Sequence, residues 1–195
     1  MDIKVNSGQR VLVTSDLHIG HNNVIKYSNR PFSDAKEMDA ALIENWNRVV
    51  NYGDIVINVG DFAFSNERRV IEVLSQLNGQ QHFVYGNHDR VMKRPKVQEY
   101  CKQTKKILTF SDTLEFKYKG TFVFVSHYAH RVWNRHHYGS VHLYGHSHGT
   151  LPSMGRSMDV GVDSTEMGTQ YEPLELDKVI AHLKQKDIGF HSARD

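Results

Sequence analysis

The chain has 195 residues and a mass of 22.5 kDa, with 24 Lys and Arg against 22 Asp and Glu, a formal charge of +2, and 39% hydrophobic residues. That size suits one domain (1–195) with a real core, and a charge this mild does not by itself announce a nucleic-acid binder. No apolar run approaches the roughly 20 residues that span a bilayer, and Met1-Asp2-Ile3-Lys4 lacks the basic-then-apolar order of a signal peptide, so a cytoplasmic protein without a membrane partner is expected.

The first apolar run, Arg10 to Ser15, reads as a buried strand and ends in Asp16-Leu17-His18. Asp34 to Val50 reads as a helix: Asp34 can cap it, Glu37 follows three residues on, and Met38, Leu42, Trp46 and Val49 recur on one face. Asp54 to Val59 is a second strand and ends in Gly60-Asp61. Asn66 then caps a helix that turns Val70, Ile71, Leu74 and Leu77 inward and stops at Asn78-Gly79. A third strand, Gln81 to Tyr85, runs into Gly86-Asn87-His88-Asp89. Strands alternating with helices in this way imply right-handed crossovers and parallel pairing, a βαβαβ half within an α/β fold.

Beyond it, Arg90 to Lys106 carries seven basic residues against the single acid Glu99, either a solvated face or a means of steering phosphate. Thr113 to Tyr118 and Thr121 to Ser126 flank the hairpin signal Lys119-Gly120, and His127 follows. Short strands near Val141 to Tyr144 and Met158 to Val162 are expected to pair antiparallel, making the C-terminal half the more antiparallel one. Val141 to Gly145 leads into His146-Ser147-His148, and Leu176 to Lys186 closes as an amphipathic helix. The lone Cys101 can form no internal disulfide and leaves no thiolate-rich metal site.

Five apolar runs thus end in residues of metal-ligand type. In an open sheet built largely of parallel strands the carboxyl ends lie along one edge, so these residues meet in one crevice, which points to a metal centre. Imidazole and oxygen donors without sulfur suit Mn, Fe, Zn, Ni or Co better than Ca or Cu(I). Glycines at 60, 86 and 145 permit the tight turns that swing side chains over the strand ends.

Asp16-x-His18, Gly60-Asp61, Gly86-Asn87-His88-Asp89, Ser126-His127 and Gly145-His146-Ser147-His148, in this order, resemble the calcineurin-like metallophosphoesterase superfamily from Leu12 to about Asp163. Ser15 to Asn22, Asn29-Arg30-Pro31-Phe32 and Met158 to Asp163 look most like its small stand-alone bacterial and phage members, which carry no large cap domain. The resemblance implies a four-layer-like β-sandwich of mixed sheets flanked by helices. It assigns Asp61 as the bridge between two divalent or trivalent ions, manganese favoured; Asp16, His18 and His148 to one; and Asn87, His127 and His146 to the other. It further implies phosphoester hydrolysis by a metal-bridging hydroxide, with His88 protonating the leaving oxygen and Asp89 fixing the tautomer of His88. Two divalent ions bring four positive charges while Asp16 and Asp61 bring two negative, and the neutral Asn87 preserves that surplus for phosphate.

Substrate contacts are less sharply marked. His21 and Asn22 follow the first motif closely enough to reach phosphate, although Asn22 equally fits a helix cap. Arg30 is a phosphate contact, a support behind the ligands or simply a structural surface residue. In Tyr128 to Tyr138, the mix of Arg131, Arg135, Trp133, Tyr128 and Tyr138 suits a phosphate and a stacked base, or else a folded-back loop packed on Trp133. The expected substrate is a nucleotide-like phosphodiester or phosphomonoester. A nuclease or nucleic-acid end-processing phosphatase is the alternative, separable by its steep salt dependence, and a non-catalytic protein-binding scaffold is the remote one. Nothing in the sequence sets an oligomeric state.

Overall fold

Strands and helices alternate as β1 (Val11–Thr14), α1 (Asn22–Tyr27), α2 (Ala35–Val49), β2 (Ile55–Asn58), α3 (Glu67–Gln76), β3 (Gln80–Val84), α4 (Pro95–Thr104) and β4 (Ile107–Ser111). Then come β5 (Thr113–Tyr118), β6 (Thr121–Ser126), β7 (Val141–Tyr144), β8 (Ser157–Asp159), β9 (Leu174–Glu175) and α5 (Leu176–Lys184). This is a computed structural model and describes residues 3, 5 and 8–189; Met1, Asp2 and Lys4, read above for a leader, lie outside the described residues. Among the described residues no helix is long and apolar enough to cross a membrane.

The first sheet has the order β4-β3-β2-β1-β9, parallel throughout except for β9, which pairs antiparallel with β1. Every residue of β1 and β2 is buried, because both faces are covered. With side chains alternating along a strand, Leu12 and Val56 join Met38, Leu42 and Trp46 of α2 and Val70 and Leu74 of α3 in one core. Val11, Val13, Ile55 and Ile57 face the other way, into a core shared with the second sheet and with Leu176, Val179 and Leu183 of α5. The caps act as read: Asp34 accepts from the Glu37 amide at 2.9 Å and Asn66 from the Arg69 amide at 3.0 Å.

The second sheet runs β5-β6-β7-β8. The β5–β6 hairpin is antiparallel, and Lys119 and Gly120 both take positive φ (45° and 83°), as a type I′ turn requires. The antiparallel reading does not extend further, however: β6 with β7 and β7 with β8 pair in parallel. Segments 127–140 and 145–156 are crossovers, far too long for hairpin loops, and such lengths return a strand in the same direction. The 127–140 segment folds back over the outer face of this sheet and forms the fourth layer. There Trp133 is buried, its indole N–H donates to Ser140 Oγ at 3.0 Å, and Phe124 packs edge-on against His130.

The basic run contains an element the sequence reading passed over. Pro95 occupies the first turn of α4, where its missing N–H costs nothing, and Val97 and Cys101, one turn apart, are buried.

Candidate metal centre

The carboxyl ends of β1, β2, β3, β6 and β7 meet along one edge, and backbone hydrogen bonds lock their turns together. The Asp16 amide donates to Gly60 O (2.9 Å), that of His18 to Asp61 O (3.0 Å) and that of Gly145 to His127 O (3.0 Å). Carboxylates complete the frame: Asp16 accepts from the His146 amide at 2.9 Å, and Asp61 Oδ1 from the His88 amide at 2.8 Å.

Two groups of donors result. Asp16, His18 and His148 form one and Asp61, His127 and His146 the other, with the donor atoms of each lying within 4.8 Å of one another. Asp61 Oδ2 is 3.6 Å from His18 Nε2 and 3.4 Å from His127 Nε2, so it stands between the groups, and Asn87 Oδ1 lies 3.1 Å from His127 Nε2. The imidazoles are oriented from behind. His127 Nδ1 is 2.8 Å from the Val59 carbonyl and His148 Nδ1 is 2.5 Å from Asp163 Oδ2, acceptors that hold a proton on Nδ1 and turn Nε2 inward. His18 Nε2 is buried and has no hydrogen-bond partner among the described residues, an arrangement that costs about 1–3 kcal/mol in a polar atom with nothing to bind. It faces two carboxylates. That orphaned nitrogen and the sulfur-free donor set fit a pair of transition-metal ions.

Backbone strain collects at the same place. Asp16, His18, Asp61, His146 and His148 all have positive φ, between 47° and 67°, which costs about 1–2 kcal/mol per residue for a side chain without special reason to be there. Glycines make the turns possible: a Cβ on Gly86 would collide with the Asp61 carboxylate, and one on Gly145 with the Ser15 hydroxyl and the Asp16 carboxylate. Gly86→Ala is therefore expected to weaken metal binding by about tenfold or more, read by metal titration, because the central carboxylate must move. Unchanged affinity would show that Asp61 is not held by this approach.

Electrostatics favours positive charge. Burial lifts Asp16 to about 7. Burial also opposes ionisation of Asp61, but the His127 hydrogen bond and charge, the His88 amide and His18 outweigh it and hold Asp61 at about 2. Burial drives His18 down to about 3, whereas at His127 the burial effect is overcome by the Asp61 hydrogen bond and by the charges of Asp16 and Asp61, which raise it to about 9. Cations bound here compete with protons on Asp16 and His127.

Beside these groups lies a cleft of about 730 Å3, lined on the donor side by His18, His21, Asp61, His88, His146 and His148. The half-buried His88 ring stands 5.5 Å from that of His18. His21 stacks on Phe64 at 4.6 Å and approaches His18 Nδ1 at 3.4 Å.

Other expected contacts fall elsewhere. Asn22 neither caps α1 nor faces the centre, since its Oδ1 accepts from the Ala35 amide at 2.7 Å and ties α1 to the start of α2. Arg30 is no phosphate contact: its guanidinium is fully buried, paired through Nε and Nη2 with Asp163 (2.8 and 2.7 Å) and donating to the carbonyls of Asp16 and Leu17 (2.6 and 2.9 Å). Asp89 does not orient His88, because its oxygens accept instead from the amides of Asp61, Phe62 and Gly86 (2.8, 2.9 and 2.7 Å) and brace the turn that carries Asp61. Arg135 lies over the Phe122 ring at 4.7 Å, beside the start of β6 and so at the opposite end of that strand from His127. Arg131 is exposed on the covering segment and does not line the cleft.

Two residues that shape the site, Asp163 and Phe64, had no role assigned from sequence, and a third, Tyr128, was read only as one of the stacking rings of the 128–138 segment. Asp163 holds His148 and Arg30; Phe64, 54% exposed, walls the cleft; Tyr128 lies edge-on to His146 at 4.6 Å. Asp163 did carry a signal, the alternation Asp159-x-Gly161-x-Asp163, in which Asp159 also works on the frame by accepting from the amides of Gly149 and Gly161 (2.9 and 2.8 Å).

A family model for the calcineurin-like phosphoesterase superfamily domain matches residues 10–161. An uncharacterized protein of Methanocaldococcus jannaschii is 44% identical over 96 residues, 48% of this chain and 54% of that protein, so the match spans about half the length of that relative. The Gene 66 protein of Mycobacterium phage D29 is 26% identical over 178 residues, covering 79% of this chain and 88% of its own. Among solved structures, an Aquifex aeolicus protein of unknown function superposes with a TM-score of 0.66 at 18% identity, over 90% of this chain and 100% of its own, a likeness of fold.

Proposed function

Because the chain belongs to the calcineurin-like phosphoesterase superfamily, we propose that it is a metal-dependent hydrolase of phosphoester bonds with a dinuclear centre on Asp16, His18, Asp61, Asn87, His127, His146 and His148. The observation that carries this reading is Asp61 Oδ2, within 3.6 Å of an imidazole nitrogen from each donor group, at the floor of an open cleft. Two ions held there, manganese favoured, supply the Lewis acidity that polarises phosphoryl oxygens and lowers the pKa of water.

The chain's own groups do the rest. Asp16 and Asp61 leave a net positive centre, and the neutral Asn87 does not reduce it. His21, stacked on Phe64, faces a substrate oxygen from the cleft wall. His88 gives a proton to the leaving oxygen. Asp89 contributes by holding the Asp61 turn. The substrate is a nucleotide-like ester of small size: of the basic run, Arg90 and Arg94 line a cleft beside the centre, whereas Lys105 and Lys106 line a separate cleft beyond the other end of α4.

The test is hydrolysis of bis(4-nitrophenyl) phosphate and 4-nitrophenyl phosphate by protein loaded in turn with Mn, Fe, Zn, Ni or Co. Turnover is expected, lost on chelation with EDTA and restored by the metal; no turnover with any of the five would refute the reading.

A further inference from the structure

A second cleft, of about 880 Å3, opens on the far side of His88, and Phe64 and His88 line both. Its other walls include Val91, Arg90 and Arg94. The two clefts differ in charge: no Lys or Arg lines the first, whereas the second has two arginines against one acid, Glu67, in the first turn of α3. Among the described residues neither Arg90 nor Arg94 has an ion-pair partner, although Lys93 between them is turned away onto the Tyr85 ring at 4.3 Å. Both arginines sit on an ordered frame. The Met92, Lys93 and Arg94 amides donate to the carbonyls of Asp89, Arg90 and Val91, the Met92 side chain is buried, and Gln98 ties Met92 O to α4 at 2.6 Å.

A general acid must lie within hydrogen-bond reach of the oxygen it protonates, so the leaving group extends from His88 outward. Outward from His88 are an exposed aromatic ring, an apolar Val91 and two guanidinium groups. We infer that this cleft is the leaving-group subsite and takes a nucleotide whose ring lies on Phe64 and whose own terminal phosphate meets Arg90 and Arg94. The inference rests on the phosphoesterase reading and narrows it to diesters in which the departing alcohol is a nucleoside 5′-monophosphate. In that step an oxygen from water bonds to phosphorus, the bond from phosphorus to the 3′-oxygen breaks, and the departing oxygen takes the proton from His88. His88 is then reprotonated from solvent.

The dinucleotides pApA and ApA differ only in the terminal 5′-phosphate and so isolate the subsite. The metal-loaded protein is expected to cleave pApA to two molecules of AMP and to prefer it over ApA in kcat/KM by roughly tenfold, the scale of a charge-assisted contact in a partly exposed site. In the Arg90→Ala/Arg94→Ala variant that ratio should fall towards one, and Arg90→Lys/Arg94→Lys should restore part of it. An equal preference in wild type and alanine variant overturns the assignment, as does cleavage of pApA to adenosine and a 3′,5′-bisphosphate. So does a preference that keeps growing with strand length, which would make the cleft part of a nucleic-acid track. Bis(4-nitrophenyl) phosphate, which lacks a second anionic group, tests the underlying phosphoesterase reading separately. If none of these substrates is cleaved, AMP titrated into the protein decides: binding about tenfold weaker in the alanine variant supports the subsite, and equal binding overturns it.

Discussion

Asp163→Ala is expected to cost about 3–5 kcal/mol of folding stability, because it leaves the Arg30 guanidinium charged, buried and without its carboxylate. For a chain of this size that is a fall in melting temperature of order 10 °C. The same substitution removes the acceptor that fixes the His148 tautomer, so metal affinity should fall by about 10- to 100-fold. The two losses have separate causes and can be pulled apart. Replacing both partners with apolar residues, Arg30→Met with Asp163→Leu, removes the uncompensated charge and should recover most of the stability while affinity stays low. Thermal unfolding together with metal titration checks both. A variant that melts like the wild type would mean the pair contributes nothing, and recovery of affinity in the double variant would mean that Asp163 acts only through the fold.

That Asp163 was given no role from the sequence, while each candidate donor was given one, has a physical reason. A donor at the end of a buried strand is announced by its neighbours: the apolar runs before Asp16, Asp61, Asn87, His127 and His146 identify strands, and parallel strands bring their ends together. The strands β5, β6 and β7 came out with the bounds read for them. Asp163 follows the strand expected over Met158 to Val162 and closes the Asp159-x-Gly161-x-Asp163 alternation, but neither mark names its partners. Its two partners lie 133 and 15 residues away, and only the folded chain unites them. Adjacency misled at Asp89, which follows His88 in sequence but in this turn sends its carboxylate inward to three amides. Composition misled at Arg135, whose aromatic surroundings suggested a base-binding loop, yet whose guanidinium covers Phe122 on the back of the second sheet. The direction of β7 and β8 was readable in principle, because their long preceding segments favour crossovers over hairpins.

His88→Ala carries the largest expected effect on turnover. A positioned general acid contributes about 10²–10⁴-fold where the leaving group needs a proton, so kcat for alkyl diesters such as ApA should fall by that amount. Aryl esters are different, since 4-nitrophenolate departs without protonation, and their loss should stay within about tenfold. Metal content should not change, for two structural reasons. The His88 ring belongs to neither donor group, and the one bond through which residue 88 holds Asp61 is its backbone N–H to Asp61 Oδ1, which alanine retains. The variant therefore separates proton donation from construction of the centre. Metal analysis alongside kcat for ApA and for bis(4-nitrophenyl) phosphate makes the comparison. Equal losses on the two substrates with full metal content would assign His88 to binding the phosphoryl group, and lost metal would assign it to the frame that holds Asp61.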